Sequence, residues 1–278
     1  MGNEMSGRTC LVTGATSGIG REIAAGLAKL GATVVLVGRD RAKCETAVQY
    51  VSGNSSFLVA DLSSQAEVRR LAEMFLQKYP SLHVLVNNAG IFMAERRTTV
   101  DGIEYTFAVN HLAPFLLTRL LLEKLKTGAP ARVVTTSSVA HKGARIDFDD
   151  VSFERRSYGG IKAYSQSKLA NILFTRELAR RQDPTEVTAN CFHPGGVRTS
   201  LMEGNPARYR AVWAAAAPFL LSAEKGADTG VFLASSPEVD GITGKYFVKR
   251  RQEKPSDAAL DDEAAARLWK LSEQMTTT

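Results

Sequence analysis

The stretch VTGATSGIGREIAAGLAKLG, residues 12–31, constrains the fold of this chain more than any other. A short β-branched run ends in a turn holding Gly14, Gly18 and Gly20, and an amphipathic helical pattern begins at once. Glycines at such a junction permit a tight turn and let backbone N–H groups come close to an anion at the positive end of the helix. A plain structural turn would use the same residues, so the segment alone fixes a strand–turn–helix unit and leaves any ligand open. The unit then repeats. Apolar runs at CLVT (10–13), TVVLV (33–37), SFLVAD (56–61), HVLVNNAG (83–90), RVVTTSS (132–138), VTANCFHPG (187–195) and KYFVK (245–249) read as buried strands. Helical patterns such as AEVRRLAEMFLQKY and AYSQSKLANILFTRELARR separate them. The alternation predicts an α/β fold, a doubly wound parallel sheet of about seven strands.

With 278 residues, 44% hydrophobic and 23% charged, the chain is long enough for one large core, and no composition break or internal repeat marks a second domain. A single domain over 1–278 is expected. The net charge of +6 is scattered, and the runs Arg155-Arg156 and Lys249-Arg250-Arg251 are short. That pattern reads as a solvated surface and not as a nucleic-acid footprint. Cys10, Cys44 and Cys191 lie far apart without a CxxC pair, so neither a disulfide framework nor a zinc site is expected, and a reducing, cytoplasmic setting fits. No apolar run approaches the roughly 18 residues of a membrane span, and the first residues lack an apolar signal segment. MGNEMS matches the M-G-x-x-x-S acylation pattern, which is short enough to arise by chance.

Tyr164 and Lys168, in AYSQSK, stand one helical turn apart. A tyrosine, with a pKa of about 10, is a poor base near neutrality, and a nearby ammonium would stabilise its phenolate. Such a pair suits a reaction in which a carbonyl accepts hydride and its oxygen needs a proton, or the reverse. Surface Tyr/Lys pairs at this spacing are also common, and the spacing does not separate the two readings. VVTTSSVAH ends a strand, and strand carboxyl ends in such a sheet face a ligand crevice, which places this segment's serines nearby.

Seven segments in order, TGATSGIG, DL at 61–62, NNAG at 87–90, Asn110, Ser138, YSQSK at 164–168 and PGGVRT at 194–199, resemble the short-chain dehydrogenase/reductase family over nearly the whole chain. The resemblance implies a Rossmann-type domain with a nicotinamide cofactor. It implies a catalytic set of Asn110, Ser138, Tyr164 and Lys168. Tyr164 would exchange the proton, Lys168 would lower its pKa and hold the ribose, Ser138 would orient the substrate oxygen, and Asn110 would organise a water beside the lysine. Ser137 is the alternative to Ser138, and a helix cap or a buried amide is the alternative for Asn110. The cofactor residues implied are Gly14, Thr16, Ser17, Gly18, Ile19, Gly20, Arg39, Asp61, Leu62, Asn87, Ala89, Gly90, Tyr164, Lys168, Pro194, Gly195, Val197 and Thr199. Asp61 and Leu62 would lie against the adenine, Asn87 would close the pocket, and the 194–199 turn would hold the nicotinamide carboxamide. Asp61 is equally readable as a strand terminus. His111, His141 and His193 have no task in this scheme and read as structural.

At the end of the second strand, LVGRDR, an NAD-selective site would hold an acid for the ribose 2′-hydroxyl. Gly38 stands there instead, followed by Arg39, with Arg21 and Arg41 adding positive charge, which points to NADP(H). Arg39 facing water at a helix start is the plainer alternative. SSVAHKG, the 25 residues between Ser138 and Tyr164, and CFHPGGVRT resemble the retinol-dehydrogenase-like branch of the family. Residues 200–222 fall where the family places a small substrate lid, and Leu201, Met202, Tyr209, Val212, Trp213, Phe219 and Leu220 would line it. The expectation is an NADP(H)-dependent oxidoreductase acting on an apolar carbonyl or alcohol of the retinoid, steroid or lipid-aldehyde class. An NADP(H)-binding sensor or scaffold is the alternative. Leu169, Ile172 and Phe174, on the tyrosine helix, either pair copies into a homodimer or homotetramer or belong to the core.

Overall fold

The computed structural model describes residues 4–209, 211 and 220–277. Strands β1 (Thr9–Thr13), β2 (Thr33–Gly38), β3 (Ser55–Val59), β4 (Val84–Asn87), β5 (Ala131–Thr136), β6 (Val187–His193), β7 (Tyr246–Val248) and β8 (Arg251–Glu253) form one sheet in the order β3-β2-β1-β4-β5-β6-β7-β8. The first seven are parallel, as expected. β8 is an eighth, antiparallel strand paired with β7; its sequence RQE is fully exposed and has no apolar residue to mark it in advance. Alternation along each strand feeds a core on either face of the sheet. Leu11, Val35, Leu85 and Val133 enter one, while Val12, Leu36, Val86 and Val134 enter the other. Because both faces are covered, the strands read as continuous apolar runs.

Helices α1 (Gly18–Lys29), α2 (Arg41–Val51), α3 (Gln65–Lys78), α4 (residues 105–120), α5 (Leu122–Thr127), α6 (Gly160–Arg181), α7 (Ala223–Ser235) and α8 (Asp262–Met275) flank the sheet. The chain winds outward in both directions from β1 and β4, and such a switch leaves a crevice at the carboxyl ends of the strands. α4 begins where the Glu104 carboxylate accepts from the Thr106 and Phe107 N–H groups at 2.9 and 2.7 Å. It then widens into a π-turn over Ala108–Leu112. Pro114 has no N–H for the carbonyl four residues back, that of Asn110, so the ordinary helical ladder fails at this point.

α8 folds over α4 and α6. The Trp269 ring stacks on Phe174 at 6.1 Å and meets Phe115 edge-on at 5.0 Å. Leu169 and Ile172 pack in a cluster with Leu268 and Ala265. Leu169, Ile172 and Phe174 therefore belong to the core of their own chain and are not an outer face.

Candidate active site

The carboxyl ends of the central strands open on a crevice of about 1760 Å³. Gly14, with φ of +64°, lies so close to Ala89 that a Cβ would stand 2.8 Å from its Cα, and a Cβ at Gly20 would meet the Gly14 carbonyl oxygen at 2.4 Å. Only glycines let this turn lie flat beneath a ligand. Ser17, at the start of α1, makes no side-chain cap bond, and the first turn of α1 carries no acidic residue. Its leading N–H groups and the positive end of the helix are thus left for an anion, and Thr16, Ser17, Gly18, Ile19 and Gly20 all line the crevice. The donors and the space fit a dinucleotide pyrophosphate.

At the end of β2, a Cβ on Gly38 would fall 2.3 Å from Thr16 Cγ2 and 2.8 Å from Cys44 Sγ. Thr16 and Cys44 therefore close this position to any acidic side chain. Arg39 is exposed at the crevice and has no protein acceptor among the described residues, and Lys43 lies beside it. The other two arginines are otherwise engaged. Arg21 pairs with Glu22 at 3.1 Å and stacks over Tyr50, while Arg41 lies over the Phe57 ring and does not line the crevice. Asp61 and Leu62 line the adjoining wall, with the Asp61 carboxylate accepting from the Ser63 N–H at 2.9 Å. Asn87 departs from expectation: its amide turns into the core and donates to Thr118 Oγ1 at 3.0 Å. Its neighbour Asn88 lines the crevice instead, donating to the Thr13 carbonyl at 3.0 Å, with Ala89 and Gly90 following.

Ser138, Tyr164 and Lys168 meet at the centre. Ser137 is committed elsewhere, its buried hydroxyl donating to the Lys168 carbonyl at 2.8 Å and so tying the end of β5 to α6. Ser138 Oγ accepts from the Ala140 N–H at 3.1 Å and lies against the Tyr164 phenol. Lys168 Nζ sits 5.5 Å from the centre of the Tyr164 ring and donates to the Thr136 carbonyl at 3.1 Å. Burial pushes the phenol up to about 12, against the opposing pull of the Ser138 hydroxyl. Burial likewise pushes the Lys168 ammonium down to about 8. Desolvation dominates both groups in the chain alone, and the Ser138 hydroxyl is the neighbour that favours the phenolate.

Asn110 is fully buried behind the wall. Its Oδ1 accepts from the Ile91 N–H at 2.8 Å, and its Nδ2 donates to the Ile91 carbonyl at 3.0 Å and to Ser167 Oγ at 2.9 Å. A Cβ on Gly90 would come within 3.3 Å of Lys168 Nζ and 3.5 Å of Asn110 Oδ1, so glycine keeps the space between them clear.

Pro194, Gly195, Val197 and Thr199 border the crevice beyond β6, together with His193, which burial pushes down to about 4 and so keeps neutral. The remaining wall is largely apolar: Phe92, Met93, Val109, Val139, Tyr158 and Ile161, with Leu201, Met202 and Tyr209. Phe92 lies 5.9 Å ring to ring from Tyr164. Residues 200–209 are pinned to the loop after β4. Asn205 accepts from the Ala94 N–H and donates to the Phe92 carbonyl, both at 2.7 Å, and Arg208 pairs with Glu95 at 3.1 Å. Val212, Trp213 and Phe219 lie outside the described residues, and Leu220 does not border the crevice. Lys43, Asn88, Phe92 and Tyr158 were not anticipated. Asn88 was signalled by the doubled asparagine of NNAG; Tyr158 gave no signal, because only the folded 139–163 segment brings it here.

Residues 8–209 match the family model described as short chain dehydrogenase. The chain belongs to this family. The dehydrogenase is 45% identical over 296 residues to human retinol dehydrogenase 14, covering 98% of this chain and 87% of the human protein. To human retinol dehydrogenase 12 it is 43% identical over 274 residues, with coverage of 97% and 86%. A crystal structure from Mycobacterium paratuberculosis is similar with a TM-score of 0.80 and 36% identity, covering 98% of this chain and 94% of that one. A short chain dehydrogenase from Burkholderia cenocepacia in complex with NADP has a TM-score of 0.70 and 28% identity, with coverage of 88% and 96%. The chain is thus an oxidoreductase of a family that uses a nicotinamide cofactor and small substrates. Among the described residues no helix is long and apolar enough to cross a membrane, and no cluster of metal-binding side chains occurs.

Proposed function

We propose that this dehydrogenase transfers hydride between NADP(H) and an apolar carbonyl or alcohol, of the retinoid, steroid or lipid-aldehyde class, with Tyr164 exchanging the proton. The observation that carries the reading is the meeting of Ser138, Tyr164 and Lys168 between a glycine cradle and an apolar wall. NADP(H) is supported by the closed acid position at Gly38, by the uncommitted Arg39, and by the NADP-bound relative of known structure. The retinol dehydrogenases among the relatives support the substrate class, as do Phe92, Met93 and Ile161.

The nicotinamide, when bound, supplies or accepts the hydride. The chain's own residues handle the oxygen and its proton. Ser138 donates a hydrogen bond that orients the carbonyl oxygen. The Tyr164 hydroxyl, protonated at neutral pH because burial holds it near 12, donates to the oxygen as negative charge develops there. In the reverse direction the same tyrosine oxygen takes the proton from the alcohol. Lys168 holds the ribose and keeps positive charge beside the phenol. Asn110, held by Ile91 and Ser167, is the residue that would organise a water beside the lysine. Residues 200–222 act as the substrate lid, latched by Asn205 to the Phe92–Ala94 segment.

The test is loss of NADPH absorbance with a panel of apolar aldehydes that includes retinaldehyde. Turnover is expected with at least one of them. Tyr164→Phe should lower kcat by about 10²–10⁴-fold while NADPH still binds. Tight NADPH binding without turnover of any aldehyde or ketone would refute the enzyme reading and leave a sensor.

A further inference from the structure

On α6, Tyr164, Lys168 and Asn171 follow one another at spacings of four and three, so all three share a face. Asn171 is buried, 1% exposed, and lies behind Lys168 as seen from the crevice, which it does not line. Its Nδ2 donates at 3.2 Å to the Thr136 carbonyl, the same oxygen that accepts from Lys168 Nζ at 3.1 Å. Thr136 ends β5, one residue past the last β4 pairing at Thr135, so its carbonyl has no strand partner on that side. Both of its lone pairs are thereby used, one by the lysine and one by the asparagine.

The other end of the Asn171 amide leads away from the crevice. Asn171 Oδ1 and His111 Nδ1 are both buried and neither makes a hydrogen bond as it stands, and the Asn171 side chain is the polar neighbour that pulls the His111 pKa up against its burial. His111 Nε2 in turn lies 2.8 Å from Ser272 Oγ of α8. The position of one proton settles how these atoms pair. If Ser272 gives its hydrogen to the Leu268 carbonyl, also at 2.8 Å, Nε2 must carry the imidazole proton, and two bare acceptors, Nδ1 and Oδ1, are left facing each other in the core. If Ser272 donates to Nε2, the imidazole carries its proton on Nδ1 and donates to Asn171 Oδ1. Each orphaned atom then has a complementary neighbour where the other arrangement opposes two acceptors, and an unmade buried bond is costly enough to favour it. His111 holds only one ring proton under either arrangement, because burial pushes its pKa down to about 3.

We propose that Asn171 is a positioning residue for Lys168, gripping through Thr136 the carbonyl that anchors the lysine, and that His111 in its Nδ1–H form locks Asn171, backed by Ser272 on α8. This rests on the role given to Lys168 above. Asn171 has no contact with substrate; it removes freedom from the peptide that the ammonium leans on.

The first test needs no turnover. In ¹⁵N-histidine-labelled protein, which has four histidines, the resonance lost in His111→Gln should show long-range couplings of an Nδ1–H imidazole from pH 6 to 9. An Nε2–H imidazole would overturn the proposal. The second test is Asn171→Leu, which keeps volume and removes the amide. NADPH affinity should fall several-fold and kcat about 10-fold, with the aldehyde KM within about twofold of wild type. The pH profile of kcat should also move, and Asn171→Gln should restore part of kcat. A stably folded Asn171→Leu protein with wild-type NADPH affinity and an unmoved pH profile would overturn the proposal. If Asn171→Leu does not fold, the histidine measurement on wild type decides. If wild type turns over no aldehyde, the functional reading fails, while the histidine form and the NADPH affinity still judge the role of Asn171.

Discussion

Replacing Lys168 by Met should abolish turnover and yet make the nucleotide-free protein more stable at neutral pH. Moving the ammonium from its ordinary 10.5 to about 8 costs the folded chain about 3 kcal/mol. Met is of similar length and carries no charge, so that cost disappears. Against it stands the lost hydrogen bond to the Thr136 carbonyl, worth about 1–2 kcal/mol. The net gain is about 1–2 kcal/mol, or about 3 °C in Tm for a chain of this size. The pH dependence gives the sharper test. Below pH 8 both the folded and the unfolded wild-type chains hold the proton, and the cost is constant. Between pH 8 and 10.5 the folded chain has released it while the unfolded chain retains it, so wild-type stability climbs. Above 10.5 both are neutral and the cost is gone. The variant's advantage at pH 7 should therefore shrink and then reverse by pH 10.5. Urea unfolding of both proteins across this range measures the difference directly, and other titrating groups cancel in it. A variant that is less stable at pH 7, or a difference that stays flat with pH, would refute the reasoning.

Arg39→Ala should weaken NADPH binding about 10–100-fold and NADH binding less than about twofold, measured by nucleotide fluorescence titration; equal losses would remove the 2′-phosphate role. Gly38→Asp should fail to create NADH preference, because Thr16 Cγ2 stands 2.3 Å from the new Cβ. Its ratio of NADH to NADPH kcat/KM should stay below one, and the strain should show as a lowered Tm. Trp269→Ala should cost about 3–5 kcal/mol in urea unfolding, since its ring packs on both Phe115 and Phe174.

The sheet was legible because its strands are buried on both faces, so each appears as an unbroken apolar run. β8 was not, since an exposed edge of Arg, Gln and Glu has no hydrophobic pattern. The glycine turn at 14–20 was legible from its own chemistry, and the crevice residues at 61–62, 89–90 and 194–199 were legible only through the family resemblance, since each is an ordinary turn after a strand. Asn87 was misplaced by one position: strand alternation sends it inward and Asn88 outward, which the doubled asparagine conceals. Arg21 and Arg41 show a different limit. Their charge was visible in the sequence, but their engagement by Glu22 and by the Phe57 ring was not. The phenol's elevated pKa was hidden for a related reason, since desolvation depends on the packing around Tyr164 and not on its spacing from Lys168.

α8 has a consequence for how the protein is made. Translation delivers all of α4 and α6 before any of α8, so Phe115 and Phe174 exist on the ribosome as part of an uncovered apolar surface until Trp269 arrives to seal it. A premature stop codon between α7 and α8 would yield a protein holding Ser138, Tyr164 and Lys168 but lacking both that seal and the Ser272 hydroxyl behind His111. Such a product would be marked by its greasy flank for chaperones and proteases.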